Sequence, residues 1–348
     1  MAKIRLGLIG CGAMMKVHAR TINECTDELE ITAVCDVIRD RAVEVAEHLG
    51  NNPFICTDYQ EMVDHVDAVL VALPHDLHYE CGMFFVKHKK HIMMEKPLCN
   101  SEEECLKLIE ACENAKLTLM CAYPVRYWPG IVKLKELVDS GEYGKIFKMS
   151  VWTEQYTHYP EGHWGTTAKL GGGQLFSHGC HYVDLLLWFL GQPVSASHMG
   201  TNMGTEWLMR EGTSALVMKF ASGAVAYHGA TWGARGTRLG YDFQIHTEKG
   251  LFDYDHAAGT VTFYSRAEAH EPGKPAVTNK EVLWDEGDGR KNTNNEIDHF
   301  VDCVLNGKTP LTSGRTALES LRAIWKIYNA EKNGIVADLR DINPNSYL

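Results

Sequence analysis

Short apolar runs and amphipathic stretches alternate along the first third of the chain. Continuous apolar runs predict buried parallel strands, whereas apolar positions that recur every three or four residues predict helices. The predicted strands span residues 3–9, 29–35, 54–56, 66–73, 91–94 and 117–121. The predicted helices are a stretch that ends near residue 23 and residues 39–49, 77–87 and 102–114. This alternation predicts an α/β fold with a doubly wound parallel sheet of the Rossmann type.

The pattern changes after about residue 122. Helices are predicted at 127–140, 175–190, 296–305 and 316–331, and strands at 145–155, 215–220, 224–232, 241–247 and 260–264. Short turns between consecutive strands favour an antiparallel sheet. We therefore predict a Rossmann domain over 1–122 and an α+β domain with an open-faced, mostly antiparallel sheet over 123–348. An open sheet face commonly buries itself against a second copy, so we expect a homodimer or homotetramer.

A glycine-rich turn follows the first predicted strand. Gly10 permits the tight turn, and Gly12 has no side chain to keep a diphosphate from the backbone. The next residues, Ala13 and Met14, open a helix whose N-terminal amides favour an anion. The third glycine of the usual fingerprint is replaced by Met15. The order of strand, turn and helix predicts that this turn binds a dinucleotide.

Asp36 ends the second predicted strand, 24 residues after Gly12. A carboxylate at that spacing binds the ribose 2′-hydroxyl, and it repels the 2′-phosphate of NADP. We therefore predict NAD as the cofactor and NADP as the less favoured one, although Arg39 and Arg41 follow closely and soften the preference. The alternative is that Asp36 only caps the next helix.

Several polar residues follow the ends of later strands, where ligands bind in doubly wound sheets. They are Pro74, His75, His78, Glu95 and Lys96. We expect Pro74, His78, Glu95 and Lys96 to contact the cofactor. The charge of Lys96 would also stabilise the alkoxide that forms when a hydroxyl loses its proton before hydride transfer. The alternative is a solvated surface lysine.

His178, His181 and Asp184 recur every three residues after the Gly171–Gly172–Gly173 turn. Residues three apart share one face of a helix, and histidine is a natural base for a hydroxyl proton. We predict His181 as the catalytic base, with His178 and Arg126 as residues that contact the substrate. The alternatives are histidines that bond only to backbone, and a zinc site. Because no further Cys/His pair of metal spacing stands nearby, we predict no metal.

Composition excludes several classes of partner. The net charge is −11 and no long Lys/Arg run occurs, which argues against nucleic acid and anionic membranes. No apolar run reaches the roughly 18 residues of a membrane span. The eleven cysteines contain no C-x-x-C pair, and a chain of this length needs no disulfides. We expect reduced cysteines and a cytoplasmic location.

Taken together, these motifs resemble the Gfo/Idh/MocA family of glucose–fructose oxidoreductase and inositol dehydrogenase. The resemblance rests on Gly10, Gly12, Asp36, Pro74, His78, Glu95, Lys96, Pro97, Arg126, Pro129, Gly171, Gly172, Gly173, His181 and Asp184. It implies a Rossmann domain, an open-faced sheet, a nicotinamide cofactor, carbohydrate or cyclitol substrates and frequent dimers or tetramers. It also implies that Lys96 and His181 form the catalytic pair and that Asp184 binds substrate. Where relatives of inositol dehydrogenase carry an aspartate four residues before the histidine, this chain has Ser177.

Three functions compete. The first is an NAD-dependent dehydrogenase or reductase, which transfers a hydride between nicotinamide and the hydroxyl or carbonyl carbon of a sugar, sugar derivative or cyclitol. The second is a redox-neutral, NAD-dependent enzyme that cleaves glycosides through a transient keto-sugar. The altered Ser177–His178 pair keeps that hypothesis open. The third is a non-catalytic cofactor sensor, against which Lys96, His181 and Asp184 argue together.

Overall fold

The computed structural model describes residues 3–266, 278–287 and 293–344. These residues form two compact units. The first takes in the described residues of 1–127, 169–171 and 291–321, and the second those of 128–168, 172–290 and 322–348. The predicted division into 1–122 and 123–348 stays a prediction.

The first unit contains a parallel sheet of six strands in the order β3-β2-β1-β4-β5-β6. The strands are β1 Ile4–Ile9, β2 Leu29–Cys35, β3 Phe54–Cys56, β4 Ala68–Val71, β5 His91–Glu95 and β6 Leu119–Ala122. The order reverses between β1 and β4, which is the point where ligands bind in such sheets. The continuously apolar β4 is buried at every position, as a strand covered on both faces must be.

Helices of the first unit pack on this sheet. They are α1 Ala13–Thr21, α2 Arg39–Leu49, α3 His78–Lys87, α4 Glu102–Ala115 and α8 Asn294–Asn306. Ser101 caps α4 by accepting a hydrogen bond of 3.3 Å from the Glu104 amide. From α8, Ile297, Phe300 and Val301 enter the same apolar core as β1 and α1. This packing brings Thr293, the residue before α8, next to α1.

The second unit contains a sheet of nine strands in the order β14-β13-β12-β11-β7-β10-β9-β8-β15. The strands are β7 Ile146–Glu154, β8 Pro193–Thr201, β9 Thr213–Phe220, β10 Val225–Thr231, β11 Tyr241–Thr247, β12 Gly250–Asp255, β13 Thr260–Arg266, β14 Thr278–Asp285 and β15 Ala337–Asp338. Only β7 and β10 pair in parallel, and the other neighbouring strands pair antiparallel. The predicted fold class is thereby confirmed.

One face of this sheet is covered by helices. They are α5 Pro129–Asp139, α6 Gln174–Ser177 and α7 Cys180–Leu190. The last helix, α9 Gly314–Lys332, contributes its first residues to the first unit and its remainder to the second. Among the described residues, no helix is both long and apolar enough to cross a membrane.

The prediction of a single helix over 175–190 is wrong in one respect, because these residues form two helices. The amide of Gly179 donates to the carbonyl of Gln174, five residues back, instead of the usual four. A Cβ on Gly179 would lie 2.5 Å from the Leu175 carbonyl oxygen, so only glycine allows this close turn. The break places His178 between α6 and α7.

Candidate active site

The glycine turn joins β1 to α1 at the switch point of the parallel sheet. Gly10 has a positive φ of 84°, and a Cβ there would lie 2.5 Å from the Ala72 carbonyl oxygen. Gly12 is the N-cap of α1 and leaves open space, since a Cβ there would meet no atom within 4 Å. The first turn of α1, which includes Ala13 and Met14, has no side-chain cap and no acidic residue. An uncapped helix start beside open space suits a diphosphate.

Asp36 connects this turn to the end of β2. Its Oδ2 accepts a hydrogen bond of 2.8 Å from the Cys11 amide, and its Oδ1 accepts one of 2.8 Å from the Ile38 amide. Each carboxylate oxygen can accept a second hydrogen bond, so the contacts leave capacity for the two hydroxyls of a ribose. The residues present therefore fit a dinucleotide, with the diphosphate at Gly12 and the ribose at Asp36. Arg39 and Arg41 lie exposed just beyond.

Lys96 follows directly after β5 and is half-buried. Its backbone amide donates to Oε2 of Glu95 over 3.1 Å. The other oxygen of Glu95 lies 2.8 Å from Nε2 of His18 in α1. The turn that carries Lys96 is therefore held by a carboxylate that is only 5% exposed.

His78 holds the same turn from the other side. Its Nδ1 lies 2.8 Å from the Pro97 carbonyl and its Nε2 lies 3.0 Å from the Leu73 carbonyl. The side chain is fully buried, and burial lowers its pKa. Through these contacts His78 holds the turn that carries Lys96. Its predicted contact with the cofactor stays a prediction.

Pro74 follows β4 and begins the short 3-10 turn that contains His75. His75 lies 3.0 Å from the Leu170 carbonyl through Nδ1, and burial lowers its pKa well below the usual range. His75 is therefore a largely neutral, buried histidine that bonds to the backbone.

In the second unit, the predicted catalytic set lies around the start of α7. His181 is 7% exposed, and Asp184, one turn further along α7, is 1% exposed. The rings of His178 and His181 have centroids 5.8 Å apart. The structure therefore brings the two histidines together, although the helix between them is broken.

Two residues that the sequence analysis did not select contact His178. Its Nε2 lies 3.4 Å from the Tyr241 hydroxyl, which also donates to Oε1 of Gln155. Burial raises the pKa of Tyr241 to about 12, so it stays protonated and able to donate. The centroid of the Trp232 ring lies 6.3 Å from the centroid of the His178 ring. Tyr241 lies in a strand of ordinary alternation, so no local pattern distinguished it.

Arg126 lies in a 3-10 turn of the first unit and is 5% exposed. Its Nη1 donates to the Leu311 carbonyl over 3.5 Å. A buried guanidinium requires several acceptors, and this one has a further interaction beyond that carbonyl. Its predicted contact with substrate stays a prediction.

Within the described ranges, no group of three or more His, Cys, Asp or Glu side chains is arranged to hold a metal ion. All eleven cysteines are free thiols, and ten of them are buried. Burial raises the pKa of Cys11 to about 12, so the thiol in the glycine turn is a protonated, unreactive group.

A parallel sheet with this strand order, a glycine turn after its first strand and a carboxylate after its second defines a dinucleotide-binding protein of the Rossmann class. Residues 4–123 match the model of an oxidoreductase family with an NAD-binding Rossmann fold. Residues 131–253 match the model of the GFO/IDH/MocA C-terminal domain. The chain therefore belongs to the Gfo/Idh/MocA family of oxidoreductases, and both the resemblance seen in the sequence and the expectation of an enzyme are confirmed.

Relatives cover most of the chain at low identity. A myo-inositol 2-dehydrogenase of Thermotoga maritima is 26% identical over 89% of this chain and 91% of that protein. A 2,7-anhydro-N-acetylneuraminate hydratase of Escherichia coli is 27% identical over 74% of this chain and 70% of that protein. For an uncharacterized oxidoreductase of Streptococcus pneumoniae, 29% identical, the match spans 58% of this chain and about half, 55%, of that protein.

Among solved structures, levoglucosan dehydrogenase in complex with NADH and levoglucosan is similar, with a TM-score of 0.84. The match covers 97% of this chain and 99% of that one at 18% identity. At this identity the likeness shows the fold alone.

Proposed function

We propose that the protein is an NAD-dependent dehydrogenase or reductase that acts on a CH–OH group of a sugar, a sugar derivative or a cyclitol. The observation that carries the proposal is the order of three neighbouring parallel strands. The glycine turn follows β1, Pro74 follows β4 and Lys96 follows β5. A lysine at the same sheet edge as a dinucleotide turn supports a role of its ammonium group in chemistry on a substrate oxygen.

The chain's own residues supply the proton chemistry. His181 takes the proton from the substrate hydroxyl, and Lys96 stabilises the negative charge that develops on that oxygen. A bound nicotinamide supplies the acceptor for the hydride that leaves the carbon. The alcohol loses one hydride and one proton, so it becomes a carbonyl while NAD becomes NADH. The reverse sequence reduces a carbonyl.

The finer preference for NAD over NADP rests on Asp36. Its carboxylate is held between two backbone amides and is 7% exposed. A 2′-phosphate brought against this fixed negative charge would be repelled, whereas a 2′-hydroxyl would donate to it. Arg39 and Arg41 are exposed nearby, and they weaken the discrimination against NADP without reversing it.

The substrate class rests on the relatives and on three polar residues, Asp184 of α7, His178 just before that helix and Arg126 of the first unit. The Thermotoga relative is named as an inositol dehydrogenase. Asp184, His178 and Arg126 offer a carboxylate, an imidazole and a guanidinium to a polyhydroxylated ring. We also propose that the enzyme works in the cytoplasm as a homodimer or homotetramer, with no nucleic acid or membrane partner.

The Lys96→Met variant tests the proposal. The wild type is first screened for NADH formation over a panel of sugars, sugar acids, inositols and glycosides. With the best substrate, loss of the ammonium should lower kcat by about 10²- to 10³-fold, as loss of an oxyanion donor does. NAD affinity should change little. Lys107→Met, which removes an exposed lysine paired with Glu103, is the matched control and should behave as wild type.

Two results would contradict the proposal. One is a wild type that reduces NAD with no member of the panel. The other is a Lys96→Met variant with unchanged turnover, which would remove Lys96 from the mechanism.

A second candidate function rests on the surroundings of His178. This histidine contacts the Tyr241 hydroxyl, which in turn donates to Gln155, so it has polar partners apart from His181. A redox-neutral enzyme would oxidise the sugar, break the bond between its ring and the aglycone oxygen with loss of a proton, add water and return the hydride. The hydratase relative is compatible with such chemistry. Product release from a glycoside without net NADH would favour this function, and NADH equal to the substrate consumed would exclude it.

A further inference from the structure

The only histidine of α1 is completely buried. His18 has 0% exposure and lies on the face of α1 that also buries Met15 and Ala19. Its Nε2 lies 2.8 Å from Oε1 of Glu95, and its Nδ1 lies 3.0 Å from the Thr293 hydroxyl. A buried polar ring with a defined partner at each nitrogen is held in one orientation.

Glu95 uses its two oxygens for two different elements. Oε1 accepts from Nε2 of His18, because an ionised carboxylate can only accept. Oε2 accepts from the amide of Lys96, over 3.1 Å. The carboxylate is 5% exposed, so water cannot readily replace either donor. The orientation that His18 imposes on Glu95 is therefore passed to the backbone from which the Lys96 side chain starts.

The same histidine belongs to the helix that begins at the glycine turn. Gly12 is the N-cap of α1, and His18 lies six residues further along the same short helix. The helix links the amides proposed to bind the diphosphate with the carboxylate that holds the Lys96 turn. Thr293, just before α8, fixes the ring from the other side.

We propose that His18 is a positioning residue that, through Glu95, sets the place of Lys96 relative to the cofactor-binding helix. The inference rests on the proposed function of Lys96. Without the Nε2 donor, the buried Glu95 carboxylate loses a partner and turns or takes up a proton, and the Lys96 amide loses its fixed acceptor. A displacement of about 1 Å in a catalytic group can cost about 100-fold in rate.

Two substitutions distinguish a positioning role of His18 from a role in core packing alone. In His18→Gln the side-chain amide reaches the place of Nε2 and can still donate to Glu95. In His18→Asn the shorter amide reaches only the place of Nδ1, next to Thr293. The matched control is His91→Asn, which removes a half-buried histidine at the opposite end of β5, where Nδ1 accepts from the Thr118 amide.

Two readouts are measured on the full-length protein. The first is hydrogen exchange of the Lys96 amide by mass spectrometry at single-residue resolution, which needs no substrate. The second is kcat and KM with the best substrate of the panel. We expect His18→Asn to speed exchange at Lys96 and to lower kcat about 10- to 100-fold, with NAD affinity within about threefold of wild type. We expect His18→Gln to restore both readouts, and His91→Asn to change neither.

The inference is overturned if His18→Asn leaves Lys96 exchange and kcat at wild-type values, or if His18→Gln is as damaging as His18→Asn. If His18→Asn does not fold, Glu95→Ala answers the same question, because it removes both acceptor oxygens. Unchanged Lys96 exchange in Glu95→Ala overturns the inference. A wild type that never reduces NAD refutes the proposed function instead, and exchange at Lys96 still decides whether His18 positions it.

Discussion

Asp242 in β11 is a buried acidic residue with other carboxylates close to it. It lies opposite Asp255 in the pairing with β12, and Asp253 is nearby. Its neighbour Phe243 contacts Tyr182 of α7, so Asp242 lies on the sheet face away from the helices. The side chain is 9% exposed, and its Oδ1 has no hydrogen-bond partner among the described residues. Burial, and then the charges of Asp253 and Asp255, raise the pKa of Asp242 to about 7.

The raised pKa predicts a pH-dependent stability for Asp242→Asn. The folded protein binds this proton more tightly than the unfolded chain, so the stability that the residue contributes falls as pH rises from about 4 to about 7, and stays low above it. Replacing the carboxylate should raise the free energy of unfolding by about 1–2 kcal/mol at pH 8 and by clearly less at pH 5. Urea unfolding at both pH values checks this. If Asp242→Asn changes the free energy of unfolding equally at both pH values, or lowers it at pH 8, the charge of the carboxylate does not destabilise the folded protein.

Single residues differ in how far the sequence could reveal them. Asp36 and Lys96 were predictable because each stands at a set place after a strand, and the strands could be predicted from their apolar runs. His18 was not selected, because a histidine inside an amphipathic helix gives no sign of its partner. That partner, Glu95, lies 77 residues away, and only the folded sheet brings the two together.

Among the secondary-structure elements, the strands of the parallel sheet were more predictable than those of the second sheet. The parallel strands are short, apolar and separated by helices, so all six were predicted. The strands β8, β12 and β14 of the second sheet were missed, and β15, with only two residues, was missed as well. The first three mix serine, histidine, aspartate and lysine with apolar residues, because one of their faces is left uncovered by helices. The break at Gly179 was missed as well, since it depends on close contact with Leu175.

The uncovered face of the second sheet carries exposed apolar residues on three neighbouring strands. Met199 of β8, Val217 of β9 and Val225 of β10 are 79%, 46% and 42% exposed. We expect this face to pack against the same face of a second copy, since one patch can complement itself about a twofold axis.

Val217→Asp should therefore reduce self-association, because it would bury an unpaired charge in the contact. Size-exclusion chromatography with light scattering should show an oligomer for the wild type and a shift towards monomer for the variant. Val132→Asp, on helix α5 at the other face of the sheet, is 38% exposed and serves as the control. A monomeric wild type at micromolar concentration would contradict the expected assembly.

At the scale of the whole molecule, the two compact units divide the chemistry. The first unit carries the glycine turn, Asp36 and Lys96, all held by hydrogen bonds within that unit. The second carries His181 and Asp184 on α7 and His178 in the break just before that helix. Because α8 packs into the core of the first unit, residues near the end of the chain also support the cofactor site.

We propose that the first unit binds a nicotinamide dinucleotide, with its diphosphate at Gly12 and its ribose at Asp36. Isothermal titration calorimetry of the wild type with NAD and with NADP measures this binding without the need for a substrate. We predict binding of NAD at one site per chain, and weaker binding of NADP because its 2′-phosphate meets the Asp36 carboxylate. A folded protein that releases or absorbs no heat with either dinucleotide over a range of temperatures would show that the first unit does not bind such a cofactor.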